Sequence, residues 1–182
     1  MKNIFLIFTT LFLFSLSAGA QNFITKNGKI SLFSKTDAEN IDAVNNQAVS
    51  VINTQTGSVA FSVLVNGFLF KKALMQEHFN ENYMESDKFP KATFAGTITN
   101  LSDINFGKDG SYKATVKGKM TIHGVTKDVS STGTIKVSKG AINVTNSFKI
   151  LLADYGIEIP SVVKDKISKE VEVAVNSDYK AM

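Results

Sequence analysis

The sequence has no cysteine, no tryptophan and no arginine, and holds only two prolines and two histidines in 182 residues. Without cysteine there is no disulfide framework, no thiol nucleophile and no thiolate metal site. It also excludes a lipid anchor of the bacterial lipoprotein kind. Without arginine, all 20 basic residues are lysine. That removes the planar fork that favours bidentate contacts to bases and phosphates. The net charge of +4 is modest, and no basic cluster marks a nucleic-acid-binding face. A G-x-S-x-G elbow, a Walker-type loop and H-E-x-x-H spacing are also missing. No acid, base or nucleophile constellation is present, so no enzyme is expected and no catalytic residue is assigned.

What is present begins with an asymmetry in hydrophobicity. Lys2 is followed by an apolar run over Ile4–Leu16, then Ala18-Gly19-Ala20. A positive start, a short apolar core and an A-x-A ending describe a secretory signal peptide. Residues 1–20 are therefore expected to be removed, leaving residues 21–182 as a single domain. Without Lys2 the charge balance is +3. The apolar run is too short for an ordinary spanning helix, and no second run of about 18 follows, so stable membrane insertion is not expected. The expected location is periplasmic or secreted.

The rest of the chain is dominated by two-residue alternation, the signature of strands with one apolar and one wet face. In Tyr112–Ile122, Ala114, Val116, Gly118, Met120 and Ile122 share one parity, and Lys113, Lys117 and Lys119 take the other. In Gly57–Val65 the apolar side is Val59, Phe61, Val63 and Val65; in Lys91–Thr99 it is Ala92, Phe94, Gly96 and Ile98. Lys29–Phe33, Ala48–Thr54, Lys127–Val137, Ile142–Leu152 and Lys166–Val175 read similarly. Asn27-Gly28, Asn66-Gly67, Asp109-Gly110 and Lys139-Gly140 supply turn chemistry between runs.

One segment departs from this pattern. Lys71–Ser86 lacks Gly and Pro and carries Met75, Phe79 and Tyr83 at four-residue spacing. This predicts a helix of about four turns after the third strand. Pro90 then reopens an extended segment. The predicted architecture is all-β: an antiparallel eight-stranded, lipocalin-like barrel with one inserted α-helix. Small barrels of this size either fill their interior with side chains or hold one small ligand. Inward small residues such as Ala92, Gly96, Ala114, Gly118 and Gly133 fit either a cavity or close strand approach.

Three stretches carry a family resemblance. Leu74–Phe94 has a helix with a His, then an acidic residue, Phe89-Pro90 and a strand entered through Thr93-Phe94. Gly118-Lys-Met-Thr-Ile-His-Gly-Val-Thr-Lys127 follows the pattern G-x-L-T-x-H-G-V-T-K, with Met120 in place of Leu. Phe148–Ile167, containing Asp154-Tyr155-Gly156 and Pro160, leads into an alternating strand. In order and spacing these resemble the YceI-like family of exported, lipocalin-like isoprenoid-binding proteins. Residues 23–56 match more weakly. The resemblance implies an elongated barrel holding a polyisoprenoid, such as a quinone tail or polyprenyl lipid. It implies no other cofactor, and leaves a homodimer open.

The candidate ligand-binding interior is Phe61, Val63, Val65, Phe94, Ile98, Val116, Met120, Val144, Phe148 and Ile150, acting through shape and desolvation. Four further residues are given structural roles. His123, just before a turn, is expected to bond a turn carbonyl. His78 is expected to dock the helix by bonding the loop around Asp87. Glu77 and Glu81 could share a helix face beside it, but no metal site is assigned. Asp154 is expected to accept from loop N–H groups, and Tyr155 to close one end of the barrel. Two functions remain: a carrier that holds an apolar lipid, and a structural or interaction barrel whose core is filled by its own side chains.

Overall fold

A computed structural model describes residues 22–182. The expected signal segment, residues 1–20, lies outside them. The strands are β1 Asn22–Lys35, β2 Asn40–Asn53, β3 Ser58–Leu64, β4 Leu69–Phe70, β5 Lys91–Ile98, β6 Gly110–Ile122, β7 Val125–Ser138, β8 Ala141–Leu151 and β9 Glu170–Ala181. All pairings are antiparallel, in the order β1-β9-β8-β7-β6-β5-β3-β2, and β1 pairs β2 to close the ring. β4 is an accessory strand: Phe70 and Leu69 pair Ala43 and Val44 of β2. The fold is thus the predicted closed eight-stranded antiparallel barrel. Strands such as β1 and β7, at 14 residues each, reach about 45 Å at roughly 3.3 Å per residue, so the barrel is elongated.

Tight hairpins explain the local connectivity. His123-Gly124 and Lys139-Gly140 both have positive φ at their two positions (49° and 74°, 50° and 77°). That is the primed turn whose twist matches paired strands. Inward small residues serve close strand approach at two places. A Cβ on Gly96 would meet the Lys117 carbonyl oxygen at 2.4 Å, and one on Gly118 the Ala95 carbonyl oxygen at 2.3 Å. These two glycines are register partners.

The first strands correct the expectations. β1 and β2 begin well before Lys29 and Ala48. Their mutual register shifts between Thr25 and Gly28 and again between Gly28 and Ile30. A bulge resets which parity faces inward, so neither strand reads as one unbroken alternation. The last strand also differs, starting at Glu170 rather than Lys166. The preceding residues form a turn in which the N–H groups of Lys166 and Ile167 donate to the Val163 carbonyl, and Ser168 N–H donates to Ser34 Oγ.

The helix is shorter than Lys71–Ser86. The α-helix α1 is Ala73–His78, continued by a π-helical turn over Phe79–Tyr83. At its start, Lys71 instead pairs Asp42 of β2 at 3.1 Å, and Lys72 pairs Glu39, just before β2, at 2.8 Å. At its end, Glu85 adopts φ 42°, which stops a right-handed helix. The expected four-residue stripe still faces inward: Phe79 packs edge-on against Phe68 and tilted against Phe70, with centroids 5.7 and 4.9 Å apart.

Candidate functional site

The barrel encloses a cavity of about 600 Å³. Its far end is plugged by a packed cluster that includes Phe23, Ile52, Ile98, Ile104, Ile135, Ile142 and Tyr179. Its open end lies between α1 and the 161–167 turn, where Glu39, Lys72, Leu74, Val163 and Lys166 contribute to the lining. Leu74 is 60% exposed there. The walls are overwhelmingly apolar, so the space suits a ligand bound by desolvation rather than by charge.

All ten residues singled out from the alternation line this cavity: Phe61, Val63 and Val65 from and just after β3, Phe94 and Ile98 from β5, Val116 and Met120 from β6, and Val144, Phe148 and Ile150 from β8. The ten leave out the opposite wall, although the alternating run Lys29–Phe33 already places Ile30 and Leu32 on one parity. Ile30, Leu32, Ile41 and Ala43 come from the bulged β1 and β2, and Phe68 and Phe70 follow the Asn66-Gly67 turn. Val171, Val173 and Val175 of β9 complete it, and these did show period-two alternation in the sequence.

Polar groups inside are few, and most are paired; Ser177 Oγ is buried without a partner among the described residues. The Tyr179 hydroxyl donates to Ser50 Oγ at 2.8 Å. Burial pushes the Tyr179 phenol up to about 12, with the Ser50 bond pulling weakly the other way. Asn45, fully buried, donates to the Leu64 carbonyl and accepts from Gln47 N–H. Each buried polar atom in these pairs keeps a partner, as a low-dielectric site requires.

The structural roles expected of the histidines change. His123 does bond a backbone carbonyl, but a remote one: Nδ1 lies 3.2 Å from the Tyr155 oxygen. Its Nε2 lies 2.8 Å from Glu85 Oε2, and Phe89 packs edge-on at 4.7 Å. His78 is exposed at the cavity rim and makes no hydrogen bond to Asp87 among the described residues. The docking assigned to His78 is performed by Glu85 and His123.

Asp154 is exposed and accepts no loop N–H among the described residues. The local turn is closed by backbone instead, with Gly156 N–H donating to the Ala153 carbonyl and Ile157 N–H to the Leu152 carbonyl. Tyr155 is buried with Val65, Met84, Ile122 and Ile157 at the helix end of the barrel. Burial, reinforced by Asp154, raises its phenol. No group of three or more His, Asp or Glu stands close enough to hold a metal among the described residues. No helix among them is long and apolar enough to cross a membrane.

The fold has solved counterparts. A polyisoprenoid binding domain from Saccharophagus degradans, implicated in plant cell wall breakdown, superposes with a TM-score of 0.78 at 16% identity, covering 90% of this chain and 99% of that one. BcnA of Burkholderia cenocepacia gives 0.68 at 18% identity, covering 83% and 95%. A YceI protein of Campylobacter jejuni gives 0.56 at 16%, covering 72% and 78%. Comparison with curated proteins gives no match. The model of the YceI-like domain matches residues 17–179. With that match running from the signal-like segment to the last strand, over a barrel of the same architecture, the chain belongs to the YceI-like family.

Proposed function

We propose that this protein is an exported, non-enzymatic carrier that holds an apolar lipid, a polyisoprenoid chain, inside the barrel. The observation that carries the reading is the blind, apolar cavity of about 600 Å³ with a mouth beside α1. Its volume falls within the roughly 300–1,000 Å³ of small-molecule sites. Each Å² of apolar ligand surface taken from water contributes about 25 cal/mol, so a hydrocarbon chain is retained without a charged anchor. The similarity to a polyisoprenoid binding domain supports the same ligand class. The signal-like segment at residues 1–20 supports a periplasmic or secreted setting. The self-filled barrel is disfavoured because Phe61, Phe94 and Phe148, on three different strands, all border open volume.

Native mass spectrometry and organic extraction of protein purified from its own host test this. A co-purifying prenyl lipid, or uptake of added quinones or polyprenols in a one-to-one complex, is expected. A barrel that emerges empty and takes up neither would overturn the proposal.

A further inference from the structure

The ring of strands is not zipped along its whole length. β6 and β7 pair continuously from Gly110↔Val137 to Ile122↔Val125. β8 and β9 pair continuously from Ile142↔Tyr179 to Leu151↔Glu170. Between these two hairpins, β7 and β8 pair only from Ser138↔Ala141 to Thr134↔Thr145. Beyond that point the edges of β7 and β8 run unpaired. Exposed edges are a liability that barrels exist to remove, so an interrupted ladder needs a physical cause.

The fork is built into the sequence. At Gly133 a Cβ would meet the Thr145 carbonyl oxygen at 2.5 Å and Asn146 Cβ at 3.0 Å. β8 therefore crosses close over a bare backbone and diverges. Just past the fork, Ser131 Oγ donates to Asn146 Oδ1 at 3.0 Å, a side-chain bond where a ladder bond would stand. At the other end, the turn holding Tyr155 is fixed by the His123 contact. Between these two closures lies a cleft of about 310 Å³. Met120, Val129, Ser131, Phe148 and Ile150 line both this cleft and the main cavity, so the two adjoin through the seam.

The cleft holds both charges, with the cations Lys127 and Lys149 beside the carboxylates Asp128 and Asp154. Lys127 lines it, on the same face of the sheet as its register partner Met120, and forms no ion pair among the described residues. The neighbouring cations are engaged: Lys119 with Asp128 at 3.1 Å and Lys149 with Glu170 at 3.2 Å. On the main-cavity side of the seam, Asn146 is held by Ser131, and its amide nitrogen makes no hydrogen bond among the described residues. At the wide mouth Lys72 is paired with Glu39 at 2.8 Å, and Lys166 lies in the field of the same carboxylate.

We infer that the parted β7–β8 seam is a lateral portal where the polar head of the bound lipid is read. Lys127 and Asn146 donate to acceptor oxygens of that head, whether carbonyl, carboxylate or phosphate, while the chain runs down the main cavity. This inference rests on the proposed lipid-carrier function and assigns the orientation of its ligand.

A geranylgeranyl chain bearing a benzophenone at its head tests it on the full mature chain. Binding is first measured by native mass spectrometry, then photo-cross-links are mapped by peptide mass. Most cross-links are expected in residues 127–131 and 146–151, and the double variant Lys127→Ala, Asn146→Ala is expected to weaken binding about tenfold. Bound probe whose cross-links fall mainly on residues 72–78 and 162–167 overturns the portal and leaves the carrier function standing. A probe that does not bind overturns both.

Discussion

His123 Nε2 stands 2.8 Å from Glu85 Oε2, joining the β6–β7 turn to the residue at which the helical segment ends. The same ring reaches the Tyr155 carbonyl at 3.2 Å. Three segments distant in sequence thus meet on one imidazole, at the end of the barrel where α1 docks. Among the described residues, His123 is one of three non-glycine residues with positive φ, and Glu85 is another. Both backbones are therefore held in an unfavoured region by contacts that only the folded chain supplies.

The variant His123→Asn isolates this staple, because Asn tolerates the left-handed backbone but cannot span both partners. It is expected to cost about 0.5–1.5 kcal/mol, the net scale of one hydrogen bond, because Glu85, 44% exposed, can rehydrate. Urea unfolding of His123→Asn, Glu85→Gln and the double variant measures the coupling. Strict additivity would show that the two side chains do not act together.

Tyr179 predicts a loss of stability at high pH. Its phenol titrates near 10 when unfolded and is pushed up to about 12 in the barrel. The folded state therefore holds its proton where the unfolded chain has released it. The stabilisation is fully present below pH about 10 and is lost as pH rises through about 12, by roughly 2–3 kcal/mol in all. Tyr83 and Tyr155, also raised by burial, act in the same direction. Denaturant unfolding between pH 9 and 12 should show a steeper fall for the parent than for Tyr179→Phe. Equal slopes would mean that Tyr179 is not the group concerned.

The plugged and open halves of the barrel should respond differently to truncation. Ile142 sits in the packed plug at 2% exposure, so Ile142→Ala should cost about 2–5 kcal/mol. Phe148 faces the cavity. In ligand-free protein Phe148→Ala should fall below the roughly 3–5 kcal/mol typical of a packed Phe, because fewer neighbours are lost. Equal, large costs at both sites would indicate a self-filled core.

Gly96 and Gly118 face each other where β5 and β6 approach most closely. Gly118→Val drives a branched side chain into the Ala95 backbone. It should cost more than the roughly 1–3 kcal/mol of ordinary overpacking, read as a lowered denaturation midpoint or loss of soluble yield. An unchanged midpoint would show that the strands separate freely there.

Much of the barrel was written in local pattern. Wherever a strand is regular, as in β3, β5, β6 and β8, the period-two alternation names its inward face, because side chains in a strand must alternate. Turn pairs such as His123-Gly124 and Lys139-Gly140 mark the hairpins, since a left-handed backbone favours glycine. The bulged β1 and β2 hid their inward faces, because a single extra residue resets the parity that such reading depends on. Helix length was also misread. Nothing local shows that Lys71 and Lys72 pair with Asp42 and Glu39 across the chain.

Local pattern specified the faces of the regular strands, the hairpin at Lys139-Gly140 and an apolar interior facing a lysine-bearing exterior, because these follow from residue-to-residue geometry, whereas Asn27-Gly28 reads as a turn and lies inside β1. Tertiary structure alone decided that the far end is plugged while the near end is open, and that His123 meets Glu85 rather than a carbonyl of its own turn. It alone parts β7 from β8 beyond Gly133. Each depends on which strands become neighbours when the ring closes, and ring closure is a relation between residues far apart in the chain.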